Sequence, residues 1–111
     1  MRHLRASLAS VLAVGLVLLV AAAALAATKT VGVTKSGTKF KINPSTVRIK
    51  KGDTVKWSWS GSVPHSVTGP GFKSKTGAKV TFSRKFTKSG SFKVVCTIHQ
   101  ALGQRMTIVV S

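Results

Sequence analysis

Acidic residues are almost absent: Asp53 is the only Asp or Glu in 111 residues, against eighteen Lys and Arg, a formal net charge of +17. A single carboxylate excludes mechanisms built on a carboxylate pair, glycoside hydrolysis and aspartic proteolysis among them. Cysteine is equally scarce. Cys96 stands alone, so no internal disulfide staples the fold, and its thiol must be buried, paired to another chain, reactive or metal-binding. Past residue 27 there is no useful stretch of helical period, no internal repeat and no low-complexity tract. With 43% apolar residues the chain still has the material for one buried core, which argues against a disordered basic tail.

One long hydrophobic run is present, at the start. Arg2, His3 and Arg5 precede an uncharged stretch from Ala6 to Thr28, and the apolar run Val11 to Ala27 closes on Ala24-Leu25-Ala26. A basic start, an apolar centre and a small-x-small end are the parts of a secretory signal peptide. Residues 1–26 are therefore expected to be a leader cut after Ala26, with 27–111 as one mature domain. A retained membrane anchor is the alternative, because the seventeen apolar residues, at about 1.5 Å each, nearly span a bilayer core. No cysteine lies near the cut to carry a lipid. His3 belongs to the leader and is no ligand.

The rest of the chain alternates in short apolar and polar steps broken by Gly, Pro, Ser and Asn, which predicts an all-β fold. Eight strands are expected: Lys29 to Thr34, Thr38 to Ile42, Ser45 to Lys50, Thr54 to Ser58, His65 to Thr68, Lys79 to Ser83, Gly90 to Cys96 and Met106 to Val110. Turn signals fall between them, one of them at Gly61. Eight strands in about 80 residues predict a small sandwich or barrel. Val55, Trp57 and Trp59 share one face of their strand, and Phe92, Val94 and Cys96 share one face of theirs. Cys96 thus points where the core aromatics point, and the two tryptophans are expected to fill that core.

His65 and His99 are the two histidines beyond the leader, and His99 lies three residues after the cysteine in Cys96-Thr97-Ile98-His99. A cysteine ending a strand with a histidine in the next turn lets thiolate and imidazole converge on one ion, and His65 could add a third donor from across the sandwich. Two nitrogens and one soft sulfur suit copper in either oxidation state. Zinc fits the same donors. Cys-x-x-His alone is a weak motif, and a buried thiol beside a locally bonded turn histidine is the bland alternative.

Context favours the metal. The segment Ser89 to Val110 runs Ser-Gly-Ser-Phe-Lys-Val-Val-Cys-Thr-Ile-His-Gln-Ala-Leu-Gly-Gln-Arg-Met-Thr-Ile-Val-Val, and upstream stand Phe40-Lys41-Ile42-Asn43-Pro44, Lys51-Gly52-Asp53-Thr54-Val55-Lys56-Trp57 and Val63-Pro64-His65-Ser66-Val67. Together they resemble the plastocyanin and pseudoazurin family of blue copper proteins over nearly all the mature chain. The resemblance implies a cupredoxin-like Greek-key β-sandwich and one type 1 copper ion ligated by His65, Cys96 and His99. It also marks a departure. A plastocyanin-like loop has its axial methionine eight residues after the cysteine, where this chain has Gln104; the shorter amicyanin-like loop would place it at Leu102. Met106 shares a face with Ile108 and Val110 and reads as core, so Gln104, similar to the axial glutamine of stellacyanins, is the expected fourth ligand and Met106 the lesser alternative. Ser66 stands where related proteins often have asparagine, with Thr97 as its expected partner.

Function follows from this resemblance as an expectation: no enzyme, but an exported one-electron carrier of the periplasm, cell envelope or exterior. Copper storage or delivery at the envelope is the alternative, and a metal-free sandwich bound to the envelope is a third reading. Loss of Arg2 and Arg5 with the leader leaves sixteen basic residues against Asp53, a net +15. Such a domain steers anionic partners, most strongly at low salt. Acidic redox proteins and the anionic envelope are the expected partners, with membrane contact through the N-terminal segment if it is retained. Nucleic acid is not expected, because the lysines are spread over almost every strand instead of gathered beside stacking aromatics.

Overall fold

The computed structural model describes residues 25–111, so the leader expected at 1–26 lies almost wholly outside the described residues. Within them, nine strands form two mixed sheets. They are β1 (Thr28–Ser36), β2 (Lys39–Asn43), β3 (Thr46–Ile49), β4 (Thr54–His65), β5 (Thr68–Gly69), β6 (Phe72–Lys73), β7 (Gly77–Lys85), β8 (Gly90–Val95) and β9 (Arg105–Val110), with a 3-10 turn at Gln100–Leu102. One sheet has the order β2-β1-β4-β7 and the other β3-β9-β8-β5-β6. The β1–β4 and β3–β9 pairs are parallel and the other pairs antiparallel. Parallel neighbours cannot be joined by a hairpin, so the chain must cross between the sheets, as a Greek key does.

Side-chain alternation decides which faces meet. Along β4, Val55, Trp57 and Trp59 are buried while Lys56, Ser58 and Ser60 are exposed, and along β9 Met106, Ile108 and Val110 are buried. Val31, Val33, Ile42, Val47, Ile49, Val80 and Val94 extend the core from the other strands, and Val67 and Phe86 complete it from the connecting segments. Truncating a tryptophan like Trp57, wholly buried here, costs about 3–5 kcal/mol in such a setting. Every Lys and Arg from Lys29 onward is exposed, so the charge lies entirely on the wet faces.

The structure departs from the sequence expectation around residue 61. Gly61 does not turn the chain: β4 continues through it to His65, with its register against β7 shifting between Ser60 and His65. The predicted strand His65 to Thr68 is consequently split. His65 closes β4, and only Thr68–Gly69 pairs with the second sheet, at Val95. The ninth strand, β6, has two residues and pairs only with β5.

Candidate metal centre

Three elements converge at one end of the sandwich. β4 delivers His65 at its last residue, and the antiparallel pair β8 and β9 holds between them the loop with Cys96, His99 and Gln104. That loop is bonded to itself. His99 N–H donates to the Cys96 carbonyl (3.2 Å), Leu102 N–H to that of His99 (2.9 Å), Gly103 N–H to that of Gln100 (3.1 Å), and Cys96 N–H to that of Gln104 (3.0 Å). Gly103 turns the chain back with φ of 88°, a left-handed conformation that glycine adopts without the penalty of a Cβ.

His65, Cys96 and His99 are all buried, and one donor atom from each lies within 4.8 Å of the others. Cys96 Sγ is 3.5 Å from His99 Nδ1. A fourth atom joins them: Gln104 Oε1 is 3.0 Å from Nδ1 of His65 and 3.0 Å from Nδ1 of His99. The amide can point only this way. Its Nε2 donates to the carbonyls of Thr34 (3.0 Å) and Lys41 (3.3 Å), so the NH2 group is used on the β1–β2 side and the oxygen faces the imidazoles. Gln104 is completely buried; a buried amide is tolerated when its donors and acceptor are engaged.

Surrounding contacts fix the donors. Ser66 N–H points at Cys96 Sγ from 3.5 Å, and Ser66 Oγ lies 3.1 Å from Thr97 Oγ1, which ties the two loops together as the sequence led us to expect. Val67 N–H donates to Ser74 Oγ (2.9 Å), steadying the chain just past His65. Burial pushes His65 below the ordinary imidazole range; its contact with Gln104 works against that shift and nearby His99 adds to it. The neutral imidazole so favoured is the form that offers a metal a lone pair.

Met106 is placed elsewhere. Its Sδ accepts the Trp57 indole N–H at 3.2 Å, inside the core. Two neighbours of His99 escaped the sequence reading. Phe40 of β2 stacks on its ring, with centroids 4.2 Å apart and planes at 26°. Ile98, 49% exposed, directly precedes His99, and Leu102, 59% exposed, follows three residues on with its N–H donating to the His99 carbonyl. No local signal pairs Phe40 with His99, because sheet order alone brings β2 to this end; Ile98 could have been found by its place inside the Cys-x-x-His turn.

The donor set of one thiolate sulfur, two imidazole nitrogens and an amide oxygen fits a type 1 copper site. Comparison with known proteins agrees. Residues 28–111 match the family pattern of copper binding proteins of the plastocyanin/azurin family. Over 78 residues the chain is 30% identical to amicyanin-alpha of Methylorubrum extorquens, spanning 63% of this chain and 66% of that one, just under two thirds of its length. Over 81 residues it is 30% identical to plastocyanin of Scenedesmus fuscus, covering 60% of this chain and 83% of that protein. Among solved structures, pseudoazurin from Methylobacterium extorquens AM1 shares the fold with a TM-score of 0.63 at 24% identity, covering 76% of this chain and 75% of that one. A methionine-to-glutamine mutant of amicyanin, in its Cu(I) form, gives 0.63 at 28% identity over 76% and 82% of the two chains. The chain therefore belongs to the copper binding proteins of the plastocyanin/azurin family, and copper is its cofactor.

Proposed function

We propose that the protein is an exported type 1 copper protein that carries single electrons between redox partners, with His65, Cys96 and His99 as the strong ligands and Gln104 Oε1 as the weak axial donor. The observation that carries this reading is the convergence of four donor atoms in one buried site, the fourth fixed by two backbone carbonyls. Copper supplies a one-electron couple there. The chain holds the donors in one arrangement: Ser66 N–H steadies the sulfur, and the bonds of Gln104 Nε2 keep its oxygen turned inward. His99 is 8% exposed and stands in the same loop as the exposed Ile98 and Leu102, so a partner docking on that loop comes close to one ligand ring while water is largely kept from the other donors. The uniform positive surface favours an acidic redox partner and brief, steered encounters.

A potentiometric titration of the copper-loaded protein tests the role. A reversible one-electron transition, repeated over several cycles without loss of metal, is the expected result. Tight Cu(I) binding with no stable Cu(II) form contradicts electron carriage and marks a protein of copper storage or delivery.

A further inference from the structure

The sole acid of the chain lies at the opposite end of β4 from the metal centre, and the copper chemistry makes no use of it. Asp53 precedes β4, in the turn that follows β3. Its Oδ2 accepts the Lys50 N–H at 3.0 Å and so closes that turn; its Oδ1 accepts the N–H of Ala27 at 2.9 Å. The first bond is an ordinary local cap. The second is made to a residue 26 positions away, and it fastens the point at which the chain enters the sandwich. Ala27 is held on its other side too, its carbonyl accepting Thr54 N–H at 2.9 Å. Immediately before it, Ala26 is exposed and Leu25 is 93% exposed. Ala27, the residue after the small-x-small end of the expected leader, is thus hydrogen-bonded to the sandwich through both its N–H and its carbonyl.

We propose that Asp53 is the binding site for the α-ammonium group created when the leader is cut between Ala26 and Ala27. This rests on the export reading above. Hydrolysis breaks the Ala26 C–N bond with one water: the Ala26 carbonyl gains an oxygen and leaves as a carboxylate, and Ala27 N leaves the amide as an ammonium with three protons. That nitrogen already lies 2.9 Å from Oδ1, so a neutral amide contact becomes a charge-assisted one without movement of either group. The uncut amide gives Asp53 a dipole; the cut chain gives it a countercharge. In the uncut chain a cavity of about 540 Å³ adjoins the pair, bounded by Ala27, Asp53, Lys29, Lys50, Ser111 and by Leu25; the cut removes Leu25 and opens the site further, so water reaches the remaining ammonium protons. The charged side chains lining this cavity beside Asp53 are Lys29 on β1, Arg48 on β3 and Lys50 in the turn, all cationic. They oppose a second positive charge, so the carboxylate must outweigh them, which makes the pairing a demanding test of its strength.

The full chain, expressed with its leader in an exporting bacterium and purified from the exported fraction, supplies the test. Intact mass is expected to place the N-terminus at Ala27. NMR of alanine-labelled protein then follows the Ala27 α-amine as pH rises. Its titration is expected above the ordinary range of about 7.7–8.0, and Asp53→Asn is expected to return it to that range or below. A chain beginning elsewhere overturns both the cleavage and the ammonium site, leaving the copper reading intact. A chain beginning at Ala27 whose amine titrates normally in the unsubstituted protein overturns the ammonium site alone. That measurement needs no variant to fold.

Discussion

At the scale of single residues, Gln104 and Met106 divide the roles between them. An amide oxygen is a harder donor than a thioether and favours Cu(II) over Cu(I). Gln104→Met is therefore expected to raise the reduction potential, by about 59 mV for each tenfold loss of preference for Cu(II). Voltammetry of the copper-loaded variant checks this, and an unchanged or lowered potential would count against axial ligation by Gln104. Met106→Leu should leave potential and colour alone. It removes the acceptor of the buried Trp57 N–H, and an unpaired buried donor costs about 1–3 kcal/mol. Urea unfolding should show that loss with an unshifted spectrum; a shifted spectrum would make Met106 the ligand. That Met106 belongs to the core was legible in its spacing from Ile108 and Val110. The inward turn of the Gln104 amide was not, because it depends on carbonyls 70 and 63 residues away, which become neighbours only after β1 and β2 have paired.

Elements show a similar division between local pattern and assembled sheet. The buried faces of β4 and β9 follow from period-two alternation, which needs no partner to be read. The length of β4 does not. Gly61-Ser62-Val63-Pro64 looks like a turn in isolation, yet pairing with β7 on the far side of the register shift carries the strand on to His65, and so sets where the first histidine stands. Strands as short as β6 carry too few residues to display a period. Two elements invite direct tests. In the β8–β9 loop, Gly103 has φ of 88°, and nothing lies within 4 Å of where a Cβ would be. Gly103→Ala should thus cost only the left-handed strain of about 1–2 kcal/mol, read by urea unfolding; no loss would mean that the loop relaxes, and the copper spectrum would then shift. In the turn before β4, the Ala27 N–H bond and then the Lys50 N–H bond hold the Asp53 carboxyl below its ordinary value of 3.8. The unfolded chain therefore binds this proton first on acidification. The stabilisation is present above the unfolded value and is lost as pH falls through the lower folded one. Melting of the wild type and of Asp53→Asn should differ near neutral pH and converge in acid below 3.8, whereas a gap that widens in acid would contradict the sign.

For the whole molecule, the two ends of the sandwich do different work: the loops at one end gather the proposed copper donors, and the turn at the other bonds Ala27. Between them the exposed lysines and arginines cover the wet faces of both sheets. Electron exchange with an acidic redox protein should slow steeply as salt is raised, because steering acts through a field screened over about 8 Å at physiological ionic strength. Stopped-flow rates that stay flat from low to high salt would place recognition on the exposed apolar side chains Ile98 and Leu102 of the β8–β9 loop instead. All of this depends on the proposed binding of one copper ion by Cys96, His65, His99 and Gln104. Titrating the protein with Cu(II) while recording visible absorption and electron paramagnetic resonance, in parallel with Cys96→Ser, tests that dependence most directly. The wild type should saturate at one copper per chain with an intense thiolate-to-copper absorption that Cys96→Ser lacks; an equally intense band in the serine variant, or stoichiometric binding by the wild type without the band, would contradict it.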